Sequence, residues 1–259
     1  MAELLEERRG RVLVLTISDP ATRNTLGPAV YEKGADAVRR AAGDPGIGAV
    51  VLTGAGDAFC SGGNLNRLAS LRNGPAELAG GGIGLLHDWV RLIRVCPKPV
   101  IAAVEGVAAG AGFSLALACD FILAARGARF VLAYVKVGLS PDGGATAFLA
   151  QTLPRQLAAE IAMEGGVIDA ERLHQAGVVN ALCEPGTVLE AAVARAQKLA
   201  DGPSGAVGSI KRLLDAAYGA ALDAQLDRER ESFVTNLFAA DAGEGIAAFL
   251  EKRRARFHP

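Results

Sequence analysis

Short apolar runs rich in β-branched residues, each ending in a glycine-containing turn, dominate the first two-thirds of the chain. Three of them, residues 11–18, 49–53 and 99–104, predict strands. The second run is apolar over nearly its whole length, as expected for a strand that is buried on both faces. Because small-residue, helix-like stretches separate the runs, the sequence predicts an α/β fold with much parallel strand pairing.

The remainder of the chain favours helices. Residues 1–7 are acidic and helix-like, and the chain from Pro203 onward predicts helices over 204–218, 220–238 and 244–256. The turn at 201–203 therefore predicts two parts, a core of residues 1–202 and a helical C-terminal region of residues 203–259.

Composition and charge exclude several classes of protein. The chain has 259 residues, 51% of them hydrophobic, and a net charge of -1, so it can bury a real core but offers no electrostatic footprint for nucleic acid or an anionic membrane. Its N-terminus lacks the features of a secretory signal, and the longest uncharged apolar stretch, residues 106–119, is too short to span a bilayer. The four cysteines and three histidines form no ligand-spaced cluster. We therefore expect a cytoplasmic protein with reduced thiols, no metal and no membrane partner.

Two glycine-rich turns could carry chemistry. The first, residues 57–65, follows the second predicted strand, and the other, residues 106–112, lies between the third strand and a helix-like run. Small residues at the start of a helix leave amide N–H groups unpaired, and such amides can stabilise a developing oxyanion. Each turn alone could equally be an ordinary tight turn. Neither contains a P-loop or a dinucleotide-binding glycine pattern.

Together with their surroundings, these turns resemble the crotonase superfamily, which contains the enoyl-CoA hydratases and isomerases. The resemblance extends over nearly the whole chain, and its motifs occur in the order of the family. They are residues 19–26, 59–65, 98–106, 116–120, 138–144 and 244–253.

The resemblance implies a spiral of ββα turns followed by a helical C-terminal trimerisation region, and hence a homotrimer or a dimer of trimers. It also implies that the amides of Gly63 and Ala111 form an oxyanion hole, with Ala111 standing where relatives usually have glycine. An acyl-CoA would be the substrate, and no cofactor is implied beyond the coenzyme A that the substrate carries. The residues implied to bind this substrate are Arg23, Asn24, Leu26, Ser61, Gly62, Leu65, Gly110, Tyr134, Lys252 and Arg253.

The sequence departs from the hydratase pattern at two positions. The two glutamates that the hydratases of the family use fall here at Ser114 and Tyr134, and neither residue can act as a carboxylate base. One carboxylate, Asp142, remains in the right neighbourhood, as it does in the isomerases of phenylacetate-type catabolism that resemble this chain. Alternatively, Asp142 caps a helix that begins near Ala145.

These departures favour an acyl-CoA isomerase that shifts a double bond, or rearranges a ring epoxide, through a thioester enolate with Asp142 as proton shuttle. Two alternatives remain open: a hydratase or lyase that uses Asp142 and water, and a non-catalytic acyl-CoA binder. Tyr134 either lines the acyl pocket or hydrogen-bonds the acyl group. Ser114 is expected to satisfy local backbone groups, and Cys60 to be a small buried residue.

Overall fold

The computed structural model describes residues 2–71, 74–220 and 222–257. In chain order, the strands are β1 (Glu3–Arg9), β2 (Val12–Ser18), β3 (Ala49–Gly54), β4 (Val100–Val104), β5 (Val107–Ala109), β6 (Phe121–Ala125), β7 (Arg129–Val131), β8 (Val167–Asp169) and β9 (Ala181–Cys183). The helices are α1 (Pro28–Gly43), α2 (Leu65–Leu71), α3 (Ala76–Val95), α4 (Ala111–Ala118), α5 (Ala145–Thr152), α6 (Arg155–Ala159), α7 (Ala170–Gln175), α8 (Val188–Ala200), α9 (Ser204–Ala217), α10 (Leu222–Leu237) and α11 (Ala240–Leu250). Short 3-10 turns at Pro20–Thr22 and Ala133–Val137 and a π-helical turn at Glu160–Glu164 complete these elements.

The strands form two sheets. The larger has the order β1-β2-β3-β4-β6-β9, with β1 antiparallel to β2 and every other neighbouring pair parallel. The smaller has the order β5-β7-β8 and lies where the chain leaves β4 for helix α4. Residues of β3 and β4 are buried almost throughout, as predicted for strands covered on both faces. The predicted α/β class and its parallel pairing are therefore confirmed.

The N-terminal segment is a strand, so the helix expected for residues 1–7 is wrong. All seven residues of β1 pair with β2, and Leu4 is buried opposite Ile17. The three glutamates of β1 are exposed. Pairing with the neighbouring strand outweighs the helical preference of the glutamates, because local propensity contributes only about 0.5 kcal/mol per residue.

Helices α1 and α3 pack against each other at a glycine. A β-carbon on Gly34 would stand 2.2 Å from Cε2 of Trp89, so only glycine lets α1 approach the indole ring this closely. Trp89 is fully buried, as are Leu86 and Ile93 on the same helix. This contact determines how closely helices α1 and α3 approach each other.

The C-terminal region is helical, as predicted, with one changed boundary. Helix α11 was expected over residues 244–256 but spans Ala240–Leu250. The chain turns at Lys252, whose φ is 55°, and folds back so that Arg253 pairs with Glu244 and Glu251. This ion pairing satisfies the arginine beyond the helix, and the division of the chain at residue 202 stays a prediction. None of the helices in the described part of the chain combines the length and the apolar character needed to cross a bilayer.

Candidate active site

The two glycine-rich turns lie side by side, joined by backbone hydrogen bonds. The amide of Phe59 donates to the carbonyl of Glu105 at 2.8 Å, and that of Cys60 donates to Val107 at 3.0 Å. In return, the amide of Ala109 donates to the carbonyl of Cys60 at 2.8 Å. The turn after β3 therefore runs as an extra short strand beside β5.

This pairing leaves two amides without a partner across the turns. The carbonyl of Gly62 accepts from the amide of Leu26 at 2.8 Å, but the hydrogen bonds between the turns use neither the amide of Gly63 nor that of Ala111. Ala111 is the first residue of α4, where an N–H group has no partner within the helix. A β-carbon on Gly62 would lie 3.3 Å from the nitrogen of Ala111, which shows how close the two turns come. These two N–H groups are the candidate donors of the oxyanion hole, which stays a prediction.

A third segment, residues 19–26, is fastened to the first turn. The amide of Ser61 donates to the carbonyl of Arg23 at 2.9 Å, and the Ser61 hydroxyl donates to the carbonyl of Thr22 at 2.9 Å. The structure thus brings together the predicted residues Arg23, Leu26, Ser61 and Gly62 in one place. Leu26 is buried, so its side chain packs in the core.

Asn24 holds this segment in shape through its side chain, and the expectation that it binds substrate stays a prediction. The residue is fully buried, with φ at 60°. Its amide nitrogen donates to the carbonyls of Ala55 at 2.9 Å and Ala58 at 2.7 Å, and its oxygen accepts from the amide of Asp19 at 2.9 Å. A buried amide must satisfy its polar atoms, and here the protein backbone satisfies them.

Asp142 lies between the Ala133–Val137 turn and helix α5, and one oxygen of its carboxylate accepts a hydrogen bond. The hydroxyl of Tyr134 donates to Oδ1 of Asp142 at 2.5 Å. The hydroxyl of Ser114 on α4 lies 2.9 Å from the backbone carbonyl oxygen of Asp142 and 3.3 Å from that of Gly110. The expectation that Ser114 satisfies local backbone groups is therefore confirmed.

The alternative role of Asp142 as a helix cap is wrong. Helix α5 begins after Gly144, and no side chain caps it. The amide of Ala145 is directed at the backbone carbonyl of Asp142, 3.3 Å away, while the carboxylate is bonded to Tyr134. Because Gly143 and Gly144 both have positive φ, the chain turns sharply there and carries the Asp142 side chain away from the helix start.

Tyr134 is a hydrogen-bond donor at any ordinary pH. Burial of the phenol raises its pKa above the usual value, the negative charge of Asp142 raises it further, and so does the hydrogen bond to that carboxylate. A contact between these two side chains was not foreseen from the sequence. The eight-residue spacing runs through an irregular turn, for which no periodic pattern places side chains together.

Cys60 is buried beside the oxyanion turn, as expected. Burial raises the pKa of its thiol to about 12, although the amide of Gly62 donates to the sulfur at 3.3 Å and opposes this shift. A thiol with such a pKa stays protonated and is a poor nucleophile.

Arg23 lines a cavity of about 350 Å³ together with Asp57, Gly106 and Arg129. The two guanidinium groups outnumber the one carboxylate of the cavity, so its net charge favours an anionic ligand. Arg129 was not singled out from the sequence, since it stands alone in a short strand. Leu65 begins α2 with an exposed side chain.

Two C-terminal candidates lie away from this cavity within the single chain. Arg253 is occupied by its pairs with Glu244 and Glu251, and Lys252 is exposed. Neither residue lines the cavity of Arg23. Within the described ranges, no group of three or more His, Cys, Asp or Glu side chains could hold a metal ion.

Known proteins resemble this chain over its whole length. The model of the enoyl-CoA hydratase/isomerase family matches residues 7–259. The chain is 37% identical to 1,2-epoxyphenylacetyl-CoA isomerase of Escherichia coli K12, over 95% of this chain and 94% of that protein. It is 36% identical to 2,3-dehydroadipyl-CoA hydratase of the same organism, over 99% of each. A crystal structure of an enoyl-CoA hydratase from Polaromonas sp. JS666 has a TM-score of 0.97 and 49% identity, covering 98% of this chain and 99% of that one.

The fold and the paired turns define a protein of the crotonase type, as the sequence motifs implied. The chain belongs to the enoyl-CoA hydratase/isomerase family. Its relatives in this family of enzymes include one named isomerase and one named hydratase. An acyl-CoA substrate is consistent with membership of the family.

Proposed function

We propose that this protein is an acyl-CoA isomerase in which Asp142 moves a proton between two carbons of the acyl chain. The amides of Gly63 and Ala111 would hold the thioester oxygen while it carries negative charge. The observation that carries the proposal is the hydrogen bond between Tyr134 and Asp142. Of the three positions considered for acid–base chemistry, only residue 142 has a carboxyl group, and both other residues hydrogen-bond to it.

The reaction would proceed in two proton transfers. With a 3-enoyl thioester, the Asp142 carboxylate takes a proton from C2, and the electron pair moves into a dienolate whose oxygen accepts two amide hydrogen bonds. The protonated Asp142 then returns the proton to C4, which leaves the double bond between C2 and C3. No second acid is needed, and in other enzymes the loss of one oxyanion donor costs about 3–4 kcal/mol.

Two further parts of the proposal concern a ring in the acyl group and the binding of coenzyme A. The relative named 1,2-epoxyphenylacetyl-CoA isomerase supports a ring-bearing acyl group and phenylacetate catabolism. The cavity of Arg23 and Arg129 supports a position for the phosphates of coenzyme A. Lys252 would reach a phosphate only from a neighbouring subunit in the expected trimer or dimer of trimers. Exposed apolar side chains on α9 and α10, among them Ile210, Leu214 and Phe233, support such an assembly.

A hydratase remains the second candidate, favoured by the relative named 2,3-dehydroadipyl-CoA hydratase. In that reaction, Asp142 would activate a water that adds to the double bond. The absence of carboxylates at positions 114 and 134 speaks against the hydration that uses two glutamates. A binder without catalysis would bind acyl-CoA and exchange no protons.

The test follows deuterium into the acyl chain. The purified protein is incubated in heavy water with a panel of acyl- and 3-enoyl-CoA thioesters, beside Asp142→Asn, and products are followed by mass spectrometry. We expect exchange and a product with its double bond moved and no added water, both lost in Asp142→Asn. Full exchange in Asp142→Asn would overturn the assignment of the base, a product heavier by one water would identify a hydratase, and thioester binding without exchange would identify a binder.

A further inference from the structure

We propose that Tyr134 and Ser114 are positioning residues that together hold Asp142 against the oxyanion turn. The proposal rests on the proposed function, in which Asp142 is the base. Ser114 and Tyr134 stand at the two positions where the resemblance places hydratase glutamates, and here they hold the one remaining carboxylate in position. The three residues would then act as one unit, and the isomerase character would come from all three.

Tyr134 connects the carboxylate to the turn before α4. Its hydroxyl donates to Oδ1 of Asp142 at 2.5 Å. The same hydroxyl-bearing end of the ring lies near Gly110, because a β-carbon on Gly110 would stand 3.7 Å from Cζ and 3.8 Å from Oη of Tyr134. Gly110 directly precedes Ala111, so one aromatic ring contacts both the base and the turn that carries an oxyanion amide.

Ser114 makes the second connection, through the backbone. It lies on α4, one helical turn after Ala111, and its side chain is fully buried. Its hydroxyl is 2.9 Å from the carbonyl oxygen of Asp142. A β-carbon on Gly143 would stand 2.8 Å from Cβ of Ser114, so the Asp142–Gly143 turn lies directly on α4. The backbone of the base is thus attached to the helix whose first amide is the proposed oxyanion donor.

The chemical consequence concerns which carboxylate oxygen does the work. Oδ1 accepts the phenol hydrogen, so Oδ2 is left to take the substrate proton, and the hydrogen bond opposes rotation of the carboxylate. A donor that stays neutral stabilises the ionised carboxylate without supplying a proton of its own. A shuttle that must remove and return one proton needs a single free oxygen in a fixed place.

The experiment measures kcat, KM and the pH dependence of deuterium exchange for Tyr134→Phe and Ser114→Ala. For Tyr134→Phe, we expect kcat to fall roughly 10- to 100-fold, the range for one hydrogen bond to a charged group, with KM nearly unchanged. The acid limb of the pH–rate profile should move to higher pH, because the ionised base has lost a donor. For Ser114→Ala, we expect a smaller fall in kcat, about 3- to 10-fold, and a smaller movement of the acid limb, because Ser114 bonds the Asp142 backbone and the Tyr134 phenol but not the carboxylate.

Tyr31→Phe is the matched control. Tyr31 is a buried tyrosine on α1 whose phenol lies within the electrostatic influence of Asp142, and no hydrogen bond joins the two among the described residues. Its variant should keep the parental rate and pH profile. A shift of the acid limb in Tyr31→Phe equal to that in Tyr134→Phe would overturn the assignment to one hydrogen bond.

The outcomes separate the two proposals. If Asp142→Asn retains exchange, the proposed base is wrong. If Asp142→Asn abolishes exchange while Tyr134→Phe keeps the parental kcat and acid limb, the base stands and the positioning role is wrong. Thermal unfolding shows whether each variant folds. Should Tyr134→Phe fail to fold, the kcat of Ser114→Ala decides: a fall with unchanged KM supports the proposal, and the parental value overturns it.

Discussion

Gly112 and Cys60 are in direct contact across the two turns of the candidate site. A β-carbon at position 112 would stand 2.6 Å from the carbonyl oxygen of Cys60 and 2.7 Å from its β-carbon. Real β-carbons do not approach other atoms this closely, so glycine at 112 sets the distance between helix α4 and the turn after β3. The separation of the proposed oxyanion donors Gly63 and Ala111 depends on that distance.

Gly112→Ala should therefore separate the turns. We expect a loss of unfolding free energy of about 1–3 kcal/mol from overpacking and a fall in exchange rate of roughly 100-fold from a displaced oxyanion donor. Denaturant unfolding and deuterium exchange measure the two effects. For stability, the control is Gly63→Ala, because a β-carbon on Gly63 would meet open space. If Gly112→Ala had the same unfolding free energy as the parent, the close contact between Gly112 and Cys60 would be contradicted.

Lys211 attaches helix α9 to the core through a buried ion pair. Its ammonium group donates to Oδ2 of Asp120 at 2.7 Å and to the carbonyl of Ile93 at 2.8 Å, and the side chain is 7% exposed. Lys211→Met would leave the buried Asp120 carboxylate with only Arg94, 4.0 Å away, and the Val100 amide, which we expect to cost about 3 kcal/mol of unfolding free energy. The exposed Lys198→Met should change the same denaturant measurement by no more than about 0.5 kcal/mol. Equal effects of the two variants would argue against the buried pair.

Two buried thiols should make the protein less stable in alkali. Burial raises the pKa of Cys60 and of Cys119 to about 12, above the ordinary thiol value of 9.0. A group whose pKa is raised by folding contributes stability that is complete below pH 9 and is lost as the pH rises toward 12. The loss is at most about 1.4 kcal/mol per pH unit for each thiol.

The double variant Cys60→Ala and Cys119→Ala should accordingly lose less unfolding free energy between pH 9 and 11 than the parent does. Denaturant unfolding at a series of pH values gives the two slopes, each normalised to the same variant at pH 8. Parallel slopes would show that these thiols do not titrate differently on folding.

Strands β2, β3 and β4 could be predicted because each is a mainly apolar run bounded by turn residues. The short strands β5 to β9 were not singled out from the sequence, and β1, which is rich in glutamate, was expected to be helical. Its partner β2 decides its conformation through seven backbone pairs. Local preference is too small to compete with that pairing.

Part of the candidate site could likewise be predicted from the sequence and part could not. The two turns and Asp142 were predictable from glycine patterns and from the family motifs that contain them. The bond from Tyr134 to Asp142 and the attachment of Ser114 to the Asp142 backbone were not. Both depend on where an irregular turn and a buried helix end up relative to one another.

The sequence by itself determined the α/β class, the positions of the two glycine-rich turns and the absence of carboxylates at positions 114 and 134, because these depend on residue type and local spacing. Only the tertiary structure decided that Asn24 supports its own loop, that Asp142 does not cap helix α5, and that Tyr134 bonds the remaining carboxylate. Hydrogen bonds between distant segments require a particular packing of helices and turns, and a side chain's identity does not reveal which partner that packing will bring within reach.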